Sequence, residues 1–250
     1  MDAIYYQCKL DRKIPVPLYY QLKQFMVDQI EAGVLKEGDP VPSEEELCSI
    51  LNVSRATIRQ AFSELVNEGK LRRQKAKGTF IAKPKIQGSF FQTISSFNDE
   101  MRAKGLVPST KVLDFRVARE EEAAKKLGLD AHAPVIHLKR LRYADAEPMV
   151  FVETYLSYQK YSLLLQENLE ENSLYAVLDK CYQEAVHKVS RILHVELADR
   201  PLARLLHIDS GSPIYTVATS SFTKAGQPVA YSISKYRGDR NEFRVDLYRE

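Results

Sequence analysis

The sequence predicts an α+β chain in two parts: a small helical head that closes with a short hairpin, and a larger, mainly antiparallel α+β domain behind it. Three observations carry this. Two helix N-caps, Ser43 and Ser54, follow each other in quick succession. A run of cations then surrounds a turn between two short strand-like stretches, 70–74 and 78–82. Beyond residue 90, alternating stretches come in pairs joined by turn residues, with short helices between them. That is the pattern of consecutive antiparallel hairpins, not of a doubly wound parallel sheet.

Within the head, residues 1–13 show no clear pattern and are read as an arm. Pro15 and Pro17 lead into a helix in which Leu18, Leu22, Phe25, Met26 and Ile30 share one side and which Gly33 ends. Glu37-Gly38-Asp39-Pro40 forms a turn, after which Ser43 and Glu46 make a capping box for a short helix with Leu47, Ile50 and Leu51 on its apolar face. Asn52-Val53 interrupts it. Ser54 then restarts the chain as a second helix with Ile58, Ala61, Phe62 and Leu65 facing inward and Arg55, Thr57, Arg59, Gln60 and Ser63 outward. Two helices across a tight turn, the second bearing arginines, a threonine and a glutamine on its first turns, make a helix-turn-helix whose second helix can meet base edges in the major groove. Asn67-Glu68-Gly69 closes that helix, and the hairpin around Lys75, Ala76 and Lys77 is a wing. The competing reading, a small helical domain with two arginines on a solvated face, does not account for the paired caps, the short turn and the basic hairpin occurring together.

Length and composition fit this reading. The chain has 250 residues, 44% hydrophobic and 28% charged, enough for two modest cores. No apolar run approaches the roughly 20 residues that span a bilayer, and residues 1–13 lack the apolar core of a signal peptide, so a cytoplasmic protein is expected. Cys8, Cys48 and Cys181 lie far apart without CxxC spacing, which argues against a disulfide framework and against a zinc site. Net charge is only +3, but Lys70, Arg72, Arg73, Lys75 and Lys77 place five cations in eight residues, so the wing can attract phosphate locally. Glu44, Glu45 and Glu46 sit at a helix N-terminus, where the dipole favours acids.

The head is expected over 1–82, a linker over 83–89 where a proline and a glycine occur without apolar periodicity, and the second domain over 90–250. In that domain the pattern gives a helix near 96–104, a strand over 110–118 and a helix over 120–127. Strands at 134–143 and 149–156 form a hairpin about Ala144-Asp145-Ala146-Glu147-Pro148. Helices at 161–166 and 173–182, a strand at 187–197 and a helix at 200–207 follow. A second hairpin, 213–223 and 227–236, turns about Lys224-Ala225-Gly226, and a last strand is expected at 243–247. Arg140 and Arg142 alternate on one strand and so share a face. Two neighbouring cations repel unless an anion lies between them, and the backbone N–H groups at Ser95-Ser96-Phe97, where a helix opens, suit the same anion. The alternative is that these arginines pair with Glu147 and Glu153 across the hairpin. His187 and His194 fall on opposite faces of their strand, and His132, His137 and His207 are isolated, so no metal is expected, and no cofactor motif is present.

Several stretches carry a resemblance. PSEEEL, VSRATIRQAFSELVNEG and KGTF resemble the winged-helix domain of the GntR family of bacterial transcriptional regulators. SSFNDEMRAKG, LKRLRYADAEPMVFVETYL, NSLYAVL and YRGDRNEFRVDL resemble the effector-binding UTRA domain of its HutC subfamily, whose fold is similar to chorismate lyase. The resemblance implies a homodimer reading a near-palindromic operator in double-stranded DNA, and more often a repressor than an activator. It implies guanine contacts for Arg55 and Arg59, phosphate contacts for Ser43 and Thr57, and a minor-groove approach for Gly78. With Glu44, Ser54, Gln60, Lys75, Lys77 and Thr79 these make up the candidate DNA contacts. It implies an effector pocket from Ser95, Ser96, Phe97, Arg140, Arg142, Glu153, Ser173 and Tyr236, for a sugar phosphate or other small organic acid. Two positions depart from the family pattern. Glu45 stands where many relatives carry an arginine, and Ala230 stands where amino-sugar-phosphate sensors carry a glutamate, which argues against simple transfer of that ligand. An enzyme of lyase-like fold on a DNA-binding head is the rival class, but no nucleophile-and-base pair, Walker loop or GxSxG is present.

Overall fold

The computed structural model describes residues 2–74, 77–83, 85–88 and 93–246. The chain divides into two compact units, Met1–Lys85 and Ile86–Glu250. Among the described residues no helix is long and apolar enough to cross a membrane.

In the first unit, α1 (Leu18–Glu31) buries Leu22 and Met26, α2 (Glu44–Leu51) buries Leu47, and α3 (Arg55–Asn67) buries Ile58, Ala61, Phe62 and Leu65. These side chains form one core with Leu71 and Ile81 of the wing. The helices start where the sequence places their caps. Ser43 Oγ accepts the Glu46 N–H and Glu46 returns a carboxylate to the Ser43 N–H, the reciprocal capping box, while Ser54 Oγ accepts the Thr57 N–H. Those backbone and hydroxyl hydrogen bonds hold the Glu46 carboxyl below its ordinary range. Between the helices Asn52 takes φ 50°, a left-handed conformation that asparagine tolerates better than most residues and that stops α2 within one residue. The expected turn before Ser43 contributes a strand, β1 (Pro40–Val41), which joins β2 (Leu71–Gln74) and β3 (Gly78–Ile81) in the order β1-β3-β2. The N-terminal residues are not a loose arm. Asp2–Gln7 forms a 3-10 helix, Tyr5 is buried in the head's core, and Arg12 donates to the Asn52 carbonyl at 2.7 Å.

The second unit opens with β4 (Ile86–Gly88), inside the stretch expected as linker. It pairs in parallel with β11 (Asn241–Phe243), so that backbone groups left open by a free tether are satisfied here. Between these strands come α4 (Phe97–Ala103), β5 (Pro108–Ala118), α5 (Glu121–Lys126), β6 (Val135–Ala144), β7 (Glu147–Ser157), α6 (Tyr158–Tyr161), a 3-10 helix (Ser162–Gln166), α7 (Leu174–Tyr182), β8 (Lys188–Leu197), α8 (Arg200–Leu206), β9 (Pro213–Phe222) and β10 (Pro228–Arg237). Six of the strands make one antiparallel sheet in the order β5-β6-β7-β10-β9-β8. The β6–β7 connection is tighter than the expected five-residue turn. Only Asp145 and Ala146 lie between the strands, with φ 49° and 64°, the two positive values of a type I′ turn, and Asp145 Oδ1 accepts the Val107 N–H at 2.9 Å.

Strand alternation divides the core between the two faces of the sheet. Leu141, Phe151 and Ile214 pack under α8, and Val135 and Tyr231 under α5. Ile136, Leu138, Leu156 and Ala230 pack on the other side with Tyr161, Leu174, Val177 and Leu178 of α6 and α7. Arg140 and Arg142 continue the row begun by Ile136 and Leu138, and there the apolar layer gives way to a cavity.

Candidate functional site

On the head, burying Ile58, Ala61 and Leu65 turns the opposite side of α3 outward, and Arg55, Arg59 and Gln60 are exposed. Thr57 is half-buried, its hydroxyl 2.8 Å from that of the capping Ser54, so this pair first fixes the helix start. Glu44 holds a local junction. Its two carboxylate oxygens lie 3.8 Å from Arg55 Nε and 3.4 Å from Arg73 Nη2, linking the start of α3 to wing strand β2. Such exposed pairs contribute at most about 1 kcal/mol, and this one leaves both guanidinium groups largely accessible. Lys77 and Gly78 are exposed at the wing and Thr79 is half-buried. Gly78 has φ 110°, and no atom lies within 4 Å of the point where a side chain would begin, so the backbone there is open to close approach. Lys75 lies outside the described residues. Arg73 is absent from the candidate contacts, although the cation run that contains it reads as phosphate-attracting.

In the second unit the sheet face that carries Arg140 and Arg142 lines a cavity of about 110 Å³. Alternation selects its floor: Val150 and Val152 from β7, Ser232, Ser234 and Tyr236 from β10, Val217 and Thr219 from β9, and Arg191 from β8. Ser95, Ser96 and Phe97 at the start of α4, with Ser173 and Tyr175 at the start of α7, line the rest. The Ser96 hydroxyl is committed to its helix, accepting the Asp99 N–H and donating to Asp99 Oδ2 at 2.6 Å. Ser173 precedes α7 without capping a backbone N–H through its side chain.

The electrostatics of this cavity favour an anion. Arg140 is 5% exposed, and Nε of both Arg140 and Arg142 is buried without a hydrogen-bond partner. Arg142 reaches Asn98 Oδ1 at 3.0 Å and lies over the Phe97 ring at 4.6 Å. Among the described residues neither guanidinium has a carboxylate within ion-pair distance. Burial pushes Arg140 down to about 10, and burial together with the neighbouring Arg140 charge pushes Arg142 down to about 9. Burial likewise lowers Arg191 and raises the Tyr236 phenol to about 12. All three arginines remain charged at neutral pH, in surroundings that penalise the charge.

The geometry corrects one candidate and removes the alternative pairing. Glu153 does not line the cavity. Its neighbour Val152 does, and one residue of strand reverses the face, so Glu153 points to the other side of the sheet. There it meets His137 Nε2 and Lys139 Nζ, each at 3.2 Å, and the His137 hydrogen bond is the largest influence holding its carboxyl below the ordinary range. Glu147 is 3.0 Å from Arg237 and 3.2 Å from Arg240. Neither acid pairs with Arg140 or Arg142. The Arg-Gly-Asp triplet is a turn in which buried Arg237 is held by Asp239 at 2.7 Å. Ala230 belongs to the row of Ser232, Ser234 and Tyr236 but is packed in the core beside the cavity. Arg191, Tyr175 and Glu100 line the cavity and escape the sequence reading. The period-two alternation of 187–197 places Arg191 on one face, but nothing local tells that this strand borders the same space as β6.

A winged helix-turn-helix in one unit and a cation-lined small-molecule cavity in the other define a class, the DNA-binding regulators that carry an effector domain. Comparison with known proteins gives the family. Residues 18–81 match the model "Bacterial regulatory proteins, gntR family", and residues 103–242, more than half of the chain, match the UTRA domain. The HTH-type transcriptional repressor NagR of Bacillus subtilis is 30% identical over 235 residues, covering 94% of this chain and 96% of the relative. The histidine utilization repressor of Pseudomonas aeruginosa is 33% identical over 207 residues, 80% of each chain. The crystal structure of PhnF from Mycobacterium smegmatis superposes with a TM-score of 0.65 at 29% identity, covering 90% of this chain and 98% of that one. The chain belongs to the gntR family of bacterial regulatory proteins, in its UTRA-bearing HutC subfamily. These relatives are transcriptional regulators, and the rival reading of a lyase-like enzyme falls with that.

Proposed function

We propose that the protein is a repressor that leaves its operator when a small phosphorylated sugar or related organic acid enters the cavity of the second unit. The observation that carries the effector class is the pair Arg140 and Arg142: two same-face, desolvated guanidinium groups with no carboxylate partner among the described residues, opening on a cavity of metabolite size. An anion of two or three oxygens satisfies both forks and offsets their desolvation. The similarity to NagR and to a probable fructoselysine utilization operon repressor of Escherichia coli, 30% identical over 229 residues, supports a sugar-derived ligand. Isothermal titration of the full chain against a panel of sugar phosphates tests this. Binding that disappears in Arg140→Ala is expected, and unchanged affinity removes that arginine from the site.

On the DNA side, Arg55 and Arg59 read guanines and Ser43, Thr57, Lys75, Lys77, Gly78 and Thr79 hold the backbone. Arg59→Ala is expected to cost about 1–3 kcal/mol on the operator and little on unrelated duplexes, whereas Lys77→Ala weakens both alike. Equal operator binding by wild type and Arg59→Ala in a fluorescence-anisotropy titration contradicts the base-reading role. The active species is a homodimer on a near-palindromic site, since two half-sites need two-fold related heads. Edge strand β8 supports it. Ile192, Val195 and Leu197 are 65%, 59% and 68% exposed on a strand with one unpaired edge, a surface that a second copy covers. Val195→Lys is expected to give monomers in analytical ultracentrifugation, and an unchanged dimer moves the interface elsewhere. Effector and operator affinities are then coupled reciprocally: whatever factor one ligand takes from the other is returned in kind.

A further inference from the structure

Arg140 and Arg142 satisfy one anionic group, which leaves a third cation in the same cavity. Arg191 projects from edge strand β8, while the arginine pair projects from β6. Four strand spacings separate their backbones, roughly 19 Å at about 4.8 Å per spacing, with β10 midway. The cavity floor between them is graded to match: valines on β7, then Ser232, Ser234 and Tyr236 on β10, then Thr219 on β9. Tyr236 feels both poles, since Arg142 and Arg191 each act on its phenol. The acids expected to recognise an amino or hydroxyl group are missing from this floor. Val152 takes the lining position beside Glu153, and Ala230 is packed away in the core. Glu100 is the carboxylate that lines the cavity, and its Oε1 is 3.1 Å from Lys104 Nζ. Three guanidinium groups against one acid, itself held by a lysine, describe a site for a ligand with more than one negative charge and no ammonium.

We propose that Arg191 is a second anion-binding pole and that the effector is a hydroxylated small molecule with an anionic group at each end, one on Arg140 and Arg142 and the other on Arg191. This rests on the regulatory reading of the same cavity. It makes Arg191 a specificity-determining residue, because a ligand with a neutral far end gains nothing from that charge.

The test is calorimetry of the full chain with three probes: glucose 6-phosphate, gluconate, and 6-phosphogluconate, which combines the two end groups. 6-Phosphogluconate is expected to bind about tenfold or more tightly than either singly anionic probe, the range of one charge-assisted hydrogen bond. Arg191→Gln is expected to bring it to the level of glucose 6-phosphate while glucose 6-phosphate itself is unchanged, and Arg191→Lys to fall between. Equal wild-type binding of glucose 6-phosphate and 6-phosphogluconate, or an equal loss of both in Arg191→Gln, overturns the second pole. If glucose 6-phosphate binds in an Arg140-dependent manner and the added carboxylate gains nothing, the regulatory reading stands and only the second pole falls. Failure of all three probes to bind overturns both.

Discussion

Replacing Arg140 by methionine is expected to abolish the effector response while leaving the free protein at least as resistant to heat as wild type. The two effects have opposite signs because the side chain has opposite standing in the two states. In the free protein it is 5% exposed, its Nε has no partner, and no carboxylate among the described residues lies within ion-pair distance. A buried charge without compensation is a net penalty, and a similar-sized apolar side chain in its place is neutral or stabilising. The depressed pKa of about 10 expresses the same penalty. For a cation whose folded pKa is lowered, the unfolded chain holds the extra proton, so stability is relieved only as pH rises past about 10. At neutral pH the penalty is fully present. With an anion bound the balance reverses, and removing one partner of a buried charge pair costs about 2–5 kcal/mol, or roughly 30-fold to several-thousand-fold in affinity. Differential scanning calorimetry and ligand titration on one preparation check both halves. A clear fall in melting temperature of the free variant contradicts the account, because it means that Arg140 stabilises the unliganded protein.

What is legible in the sequence here is what depends on neighbours along the chain. The caps at Ser43 and Ser54 and the left-handed Asn52 are settled within three or four residues, so the helix-turn-helix is readable before any packing is known. Alternation puts Arg140 and Arg142 on one face for the same reason. The misses all turn on partners distant in sequence. Ile86–Gly88 reads as linker because its pairing partner, Asn241–Phe243, lies at the other end of the unit. Tyr5 and Arg12 belong to the head only through contacts with the core and with Asn52. Glu153 is assigned to the pocket from resemblance, but strand period settles its face, and Val152 already occupies the inward position. Arg191 escapes because the sheet order that brings β8 to the cavity is a property of the whole domain.

A second large effect is expected from Phe62→Ala, and it falls on one unit alone. Phe62 is fully buried on the inner side of α3, in a core with Leu22, Met26, Leu47, Ile58 and Leu65. Truncating a buried phenylalanine costs about 3–5 kcal/mol, part lost transfer energy and part cavity. At roughly 0.05–0.15 kcal/mol per residue a unit of this size has only about 4–13 kcal/mol to lose, so the head is left marginal or unfolded. Because α3 carries Arg55 and Arg59 on its other side, operator binding is expected to disappear with the helix that presents them. The cavity should survive. The clusters that support it, around Ile136, Leu138 and Leu178 and around Leu141 and Leu206, share no residue with the head's core. Circular dichroism is therefore expected to show lost helix while calorimetry shows undiminished effector affinity. A parallel fall in both affinities is the result that contradicts independent cores, and it would mean that the head's packing reaches the sheet through contacts the separate clusters do not contain.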